Sequence, residues 1–170
     1  MRLLFSLDAK DYDPGGTSWV RPSVRAVILR AGRVAMVHSR KYDYYKFPGG
    51  GLEAGESHAA ALVRETLEEA GLAVKPETIR AYGYVHRVQK GQREDMFIQD
   101  NYYYFCEAAQ AVQPQKLDDY EADEQFTLAW IDPHTAIQVN LDGFHGPKDQ
   151  QMLVREARVL QLLLEDGHLR

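Results

Sequence analysis

The residues best suited to chemistry are three glutamates, Glu65, Glu68 and Glu69, which lie in one short acidic segment. Residues three and four positions apart are neighbours on a helix, so Glu68 and Glu69 would share a face with Glu65. Crowded carboxylates repel one another, and a hard divalent cation, Mg²⁺ or Mn²⁺, is their natural counter-charge. The alternative is a solvated acidic face on which Arg64 pairs with Glu68 across one turn.

Two further features precede this segment. Glu56 lies just before the expected helix and could reach the same region. The run Gly49-Gly50-Gly51 is either a flexible loop or a place where the backbone closely approaches a metal or a phosphate, because glycine has no Cβ to block that approach. The residue types alone leave both interpretations open.

A helix over Ser57–Ala70 must position the glutamates. Ser57 is suited to cap its N-terminus, and Gly71 stands where a left-handed C-terminal cap is expected. Apolar residues recur at spacings of four and three, so we expect one stripe to face the core. Its members are Ala59, Val63, Leu67 and Ala70.

The other elements predict a single domain over residues 1–170 of α/β (α+β) class. A strand precedes the loop at Asp13, and runs at 24–29 and 34–37 are typical of a hairpin that turns at 30–33. Two long strands (79–88 and 96–106), an acidic loop (118–124) and a short strand (126–131) follow. Pro133 opens a short helix, and an amphipathic helix spans 148–165.

Composition excludes several classes of protein. The 170-residue chain has a net charge of −5, which gives no electrostatic footprint for a large nucleic acid. The single cysteine, Cys106, excludes an internal disulfide and a Cys-rich zinc site, and we expect it to be a buried, inert thiol. No apolar run is long enough for a membrane span, and Met1–Leu7 is too short for a signal peptide. We therefore expect a cytoplasmic location.

The segment from Gly50 to Leu72 resembles the Nudix box of the Nudix (MutT-like) hydrolases. That pattern has Gly, five residues, Glu, seven residues, and then Arg-Glu-U-x-Glu-Glu-x-Gly-U, where U is aliphatic. Every charged and glycine position matches: Gly50, Glu56, Arg64, Glu65, Glu68, Glu69 and Gly71. Thr66 replaces an aliphatic residue, and its hydroxyl would need a partner, often the preceding helical turn.

The resemblance implies a Nudix fold, in which a mixed β-sheet is sandwiched between helices and the box forms a loop–helix–loop. It implies that Glu65, Glu68 and Glu69 hold divalent cations with help from Glu56. It also implies the Gly49 carbonyl as a further ligand. Arg64 would orient a catalytic carboxylate.

Cleavage of a pyrophosphate needs charge neutralisation and an activated water. We expect Glu68 and Glu69 as the core metal ligands and Glu65 as a ligand or the general base. Some family members place the base on a loop before the last strand, where this chain has Glu121, Asp123 and Glu124. Of these three we select Glu124; a solvated loop is the alternative.

Substrate contacts are expected just before the box. Tyr45 and Phe47 belong to an aromatic run that could stack on a base or simply pack in the core. Arg40 ends the strand that leads to the box and could meet phosphates. Other basic residues are either phosphate contacts or surface charges: Lys41, Lys46, Arg87, Lys90 and Arg93.

The sequence thus predicts a Mg²⁺-dependent hydrolase, with Mn²⁺ as the other fitting metal. It would cut a pyrophosphate bond in a nucleoside triphosphate, in ADP-ribose or another nucleotide sugar, or in a dinucleotide. The alternative is a non-catalytic module that senses a nucleotide; the intact box argues against it, and against isomerase chemistry on a prenyl diphosphate. The expected partner is a small nucleotide-type molecule, with no membrane and no large nucleic acid. The C-terminal helix and the Tyr-rich strands could form a homodimer interface.

Overall fold

Strands and helices alternate along the chain, and the computed structural model describes all of residues 1–170. The strands are β1 (Leu3–Asp8), β2 (Ser18–Val20), β3 (Ser23–Val27), β4 (Leu29–Arg30), β5 (Arg33–Ser39), β6 (Tyr44–Lys46), β7 (Leu72–Val74), β8 (Arg80–Gln89), β9 (Met96–Phe105), β10 (Ala108–Val112) and β11 (Phe126–Ile131). The helices are α1 (His58–Ala70), α2 (Asp119–Asp123), α3 (Pro133–Asp142) and α4 (Gln150–Glu165), with a 3₁₀ turn at Pro76–Thr78.

The strands form two main sheets. In the larger one the order is β1-β8-β9-β2, with β3 also paired to β9. β8 and β9 run antiparallel, whereas β1 is parallel to β8, and β2 and β3 are parallel to β9. The second sheet is antiparallel, with the order β11-β5-β4 and β6 also paired to β5. β7 and β10 form a separate antiparallel pair.

The sheets lie between helices, as β5 shows. Ala35 and Val37 belong to a buried cluster that includes Leu62 of α1. Val34 and Met36 alternate with them and join a second cluster that includes residues of α3 and α4. Alternate side chains of a strand point to opposite faces, so both faces of this sheet are covered. The predicted mixed α+β fold is confirmed.

Helix α1 has the expected ends but a different buried face. The Ser57 hydroxyl accepts the Ala60 N–H at 3.2 Å, and Gly71 closes the helix with a φ of 66°. Ala59 is exposed, so the predicted apolar stripe is wrong there. The buried positions are Ala61, Leu62, Thr66, Glu69 and Ala70. The apolar count missed this face because two of its members are polar, and the Thr66 hydroxyl has no hydrogen-bond partner.

Two other predictions are corrected. The predicted hairpin is only partial, because β4 turns back onto β5 through Ala31 and Gly32, both with positive φ, whereas β3 pairs with β9 in the other sheet. The acidic segment is not a loop throughout, because α2 spans Asp119–Asp123. Its N-terminus is stabilised by the Glu121 carboxylate, which accepts the Asp118 N–H at 2.9 Å. No helix of the structure is long and apolar enough to cross a membrane.

Candidate active site

Arg64 is the centre of the acidic segment. Its Nε and NH2 donate to the two oxygens of Glu56 at 2.9 and 2.8 Å. Its NH1 donates to Glu65 at 2.8 Å and to Glu68 at 3.4 Å. A guanidinium fork can hold several carboxylates at once, and its hydrogen bonds lower the pKa of Glu56 to about 2. Glu56, Glu65 and Glu68 are therefore gathered around one side chain of α1.

Glu65 and Glu68 border a cavity of about 380 Å³, which we call the acidic pocket. It is lined by Arg21, Gly51, Leu52, Glu53, Arg64, Glu65, Glu68, Lys116, Leu117, Asp118 and Glu121. Its lining includes Asp and Glu carboxylates but no Cys, Met or His side chain. Oxygen ligands of this kind suit Mg²⁺ or Mn²⁺. No three acidic, His or Cys side chains already converge tightly enough to hold a metal ion. Arg64 instead draws Glu56, Glu65 and Glu68 onto its guanidinium.

Glu69 is the inner member of the acidic segment and is almost fully buried. It forms an ion pair with Lys46 and accepts the Gly49 N–H at 2.9 Å. Burial raises the pKa of Glu69 to about 7, although Lys46 and Arg25 oppose that shift. Glu69 therefore ties α1 to β6 and to the glycine run.

The glycine run needs its lack of side chains. Gly49 has a φ of 137°, and a Cβ there would collide with the Val24 carbonyl. A Cβ on Gly50 would collide with the Glu65 carboxylate. The backbone therefore approaches the box closely, as the functional interpretation of this run requires. The Gly49 carbonyl accepts a hydrogen bond from Arg25, and its role as a metal ligand stays a prediction.

The acidic residues near α2 divide between two places. Glu121 lines the acidic pocket and accepts the Tyr120 hydroxyl at 3.0 Å. Glu124, selected from the sequence as the general base, lies elsewhere and is buried. It accepts the Tyr44 hydroxyl at 2.7 Å and pairs with Lys148. Glu121 is thus the member beside the box carboxylates, because the turns of α2 direct the two side chains apart.

The predicted substrate contacts are not supported by their positions. Phe47 has no exposed surface and packs edge-to-face on Tyr103, so it cannot stack on a substrate. Tyr45 stacks on His38 with ring centroids 4.5 Å apart, on the same side of β6 as Phe47. Arg40 is exposed after β5 and lines neither cavity of the site. Alternation along β6 directs Tyr44 and Lys46 towards the site instead.

A second cavity, of about 200 Å³, is lined in part by Lys46, the ion-pair partner of Glu69. We call it the basic cavity, because five of its lining residues are cationic: Arg25, Lys46, Arg87, Lys148 and Arg155. Its other lining residues are Tyr44, Phe97, Gln99, Tyr120, Phe126 and Met152. Lys46 and Arg87 were expected either as phosphate contacts or as surface charges, whereas Arg25, Lys148 and Arg155 were not predicted. The sequence signal for the cavity is Lys46, because it is a cation inside an aromatic strand.

An aromatic pair of the exposed Trp19 and the half-buried Phe97 contacts residues of both cavities. Trp19 on β2 packs against Phe97 of the basic cavity, with ring centroids 5.2 Å apart. The guanidinium of Arg21, which lines the acidic pocket, lies 5.8 Å from the Trp19 ring centroid. Trp19 is 46% exposed, so a large aromatic surface stands beside both cavities. The sequence analysis did not single out this residue.

Comparison with known proteins agrees with this architecture. The family model described as the NUDIX domain matches residues 19–153. The chain therefore belongs to the Nudix family. It is 27% identical over 131 residues to an "RNA pyrophosphohydrolase" of Xanthomonas campestris pv. campestris (strain B100), a match that covers 71% of this chain. The chain spans 62% of the length of that curated relative.

Solved structures show the same fold at low sequence identity. A Nudix hydrolase from Nitrosomonas europaea has a TM-score of 0.60 at 19% identity, covering 88% of this chain and 89% of that one. A MutT Nudix hydrolase from Burkholderia pseudomallei has a TM-score of 0.53 at 17% identity, covering 81% and 98%. An ADP-ribose pyrophosphatase from Streptococcus suis 89-1591 has a TM-score of 0.51 at 17% identity, covering 86% and 91%.

Proposed function

We propose that this chain is a Mg²⁺-dependent pyrophosphohydrolase that acts on a small nucleotide-type substrate. The observation that carries the proposal is the gathering of Glu56, Glu65 and Glu68 around Arg64, where Arg64, Glu65 and Glu68 line the acidic pocket. A solvated acidic face would not need an arginine that holds three carboxylates at once, nor glycines packed against them. The names of the relatives, which include pyrophosphohydrolase and pyrophosphatase, agree with this chemistry.

In this proposal Glu56, Glu68 and Glu69 hold the metal, with the Gly49 carbonyl as a further candidate ligand. Bound Mg²⁺ would supply charge neutralisation on the phosphates and a lowered pKa for a coordinated water. Arg64 is a positioning residue, because it acts by fixing the carboxylates. Glu69 requires a rearrangement to take part, since Lys46 now holds its carboxylate inside the protein.

The reaction consumes one water for each bond broken. The water oxygen bonds to one phosphorus atom, and the bridging oxygen leaves with the other phosphate. A water proton passes to a carboxylate that faces the acidic pocket. Glu65 and Glu121 are the two candidates for this general base. Glu124 is a weaker choice, because Tyr44 and Lys148 hold its carboxylate outside the acidic pocket.

A product assay tests the proposal directly. The protein is incubated with Mg²⁺ and a panel of nucleoside triphosphates, ADP-ribose, other nucleotide sugars and dinucleoside polyphosphates, and the products are identified. We expect cleavage of a pyrophosphate bond, and we expect Glu68→Gln to lower kcat by about 100-fold, the usual scale of lost electrostatic stabilisation. Glu77→Gln, on the 3₁₀ turn remote from the pocket, is the matched control.

Two results would count against the proposal. If the folded protein binds a nucleotide of the panel with Mg²⁺ present but hydrolyses none, the chain is a sensor module. If Glu68→Gln keeps nearly the full activity of the wild type, the metal assignment is wrong even though the enzyme class stands.

A further inference from the structure

The basic cavity brings together five cationic side chains, and four of them are buried. Arg25, Lys46, Arg87 and Arg155 are all at least nine-tenths buried, and Lys148 stands at the rim with a side chain 22% exposed. They come from three strands, the segment before α4, and α4 itself. Bringing buried cations together is unfavourable unless anions compensate them.

The carboxylates of the protein compensate four of the five cations. Lys46 pairs with Glu69, and Lys148 pairs with Glu124. Arg87 pairs with Asp149, and Arg155 pairs with Glu156. Each of these four cations has its own carboxylate partner, whereas Arg25 forms no ion pair within 4.0 Å.

Arg25 is therefore the informative residue. Its only protein acceptor is the Gly49 carbonyl, and its Nε has no hydrogen-bond partner although it is buried. A buried donor without a partner is costly unless a ligand completes it. The cation is thus under-compensated at the point where the basic cavity meets the glycine run of the box.

Crowding is visible in a second arginine. Burial and the positive charges of Arg155 and Arg25 together lower the pKa of Arg87 to about 10. Its partner Asp149 is 39% exposed at the rim, so this pair does not shield the interior well. An anion that entered the cavity would relieve the repulsion between the three arginines.

We propose that the basic cavity binds the free terminal phosphates of the substrate, so that the substrate is a molecule with an unesterified 5′-triphosphate end. This inference rests on the proposed function and narrows it. A terminal phosphate carries more charge than a bridging one and offers several oxygens to arginine forks. The distal sugar of ADP-ribose is neutral and would leave Arg25 uncompensated.

A 5′-triphosphate end occurs in a free nucleoside triphosphate and in a 5′-triphosphorylated RNA. The first experiment tests the phosphate subsite with a ligand that contains no nucleoside. Inorganic tripolyphosphate is titrated calorimetrically into the full chain in metal-free buffer. We expect binding to the wild type, and affinity about tenfold weaker or more in Lys148→Gln and Arg25→Gln, since a hydrogen bond to a charged group is worth about 1.5–3 kcal/mol.

Lys148→Gln keeps the test usable if Arg25→Gln does not fold, because Lys148 stands at the rim. Arg158→Gln is the matched control: it removes one positive charge from α4 in an exposed pair with Glu165. We expect its affinity for tripolyphosphate to stay within about twofold of the wild type. Unchanged binding in the folded cavity variants, or no binding to the wild type, would overturn the subsite.

A second arm compares kcat/KM with Mg²⁺ for a nucleoside triphosphate, a 5′-triphosphorylated oligoribonucleotide and ADP-ribose. We expect Lys148→Gln to lower kcat/KM about tenfold for the triphosphate that is used. The triphosphate with the higher kcat/KM shows whether the substrate is a free nucleotide or an RNA end. Efficient hydrolysis of ADP-ribose alone, unaffected by Lys148→Gln, would sink the inference and leave the proposed function standing. Cavity-dependent binding of tripolyphosphate without hydrolysis of any substrate would support the phosphate subsite and contradict the proposed function.

Discussion

The acidic pocket and the basic cavity share no lining residue, and their charged groups are assembled in opposite ways. The carboxylates held by Arg64 come from one helix and the turn before it: Glu56, Glu65 and Glu68. The five cations of the basic cavity are spread from position 25 to position 155. The carboxylate cluster is local in the chain, whereas the cationic cluster exists only after folding.

The difference teaches how the work is divided. A helix places residues at fixed spacings, so it can carry the same cluster of carboxylates in many chains. The shape and charge of the basic cavity depend on which side chains several elements direct inward. Under the proposed function, the reaction chemistry would belong to the local cluster of carboxylates, and the choice of substrate to the assembled cluster of cations.

The largest expected effect comes from breaking the link between the regions. Lys46→Met leaves the Glu69 carboxylate buried without its ion-pair partner, which should destabilise the protein by about 3 kcal/mol. Urea denaturation measures this as a lower midpoint at an unchanged slope.

The double variant Lys46→Met/Glu69→Gln is the control, because a neutral Gln can still accept the Gly49 N–H. We expect it to recover part of the loss. A single variant as stable as the wild type would mean that Arg25 alone neutralises Glu69, and that the Lys46–Glu69 pair is not the link between the two regions.

The acidic region was largely predictable from sequence for a physical reason. Ser57 and Gly71 mark the ends of α1 by local hydrogen bonding, and the box residues between them need no distant partner to share a face. The buried face of α1 was not predictable from apolar residues alone. Glu69 turns inward because Lys46 and the Gly49 N–H receive it there.

The basic region could not be predicted in the same way. Strand β6 alternates Tyr44 and Lys46 with Tyr45 and Phe47, and both sets contain aromatic residues. Periodicity separates the two faces but does not say which one meets the site. Arg25 and Arg155 lie far apart in the chain, and only the packing of β3 and α4 brings both to one cavity.

A metal titration sharpens the acidic half of the comparison. The protein is freed of divalent ions with a chelator and melted with increasing Mg²⁺. We expect the melting temperature to rise, since a ligand at ten times its dissociation constant stabilises the native state by about 1.4 kcal/mol. Glu68→Gln should weaken this response, whereas Glu77→Gln should reproduce the wild type. A response that is identical in Glu68→Gln would remove Glu68 from the metal site.

The smallest effect concerns the aromatic surface between the two regions. Trp19 is exposed beside Phe97 and Arg21, at a position where a nucleobase could stack while its phosphates enter the cavities. Trp19→Ala should remove about 1 kcal/mol of stacking and raise KM about fivefold with little change in kcat. Phe144→Ala, which removes another exposed aromatic ring, should leave KM unchanged. If Trp19→Ala lowers kcat and leaves KM unchanged, Trp19 supports the fold of the site instead of holding the base.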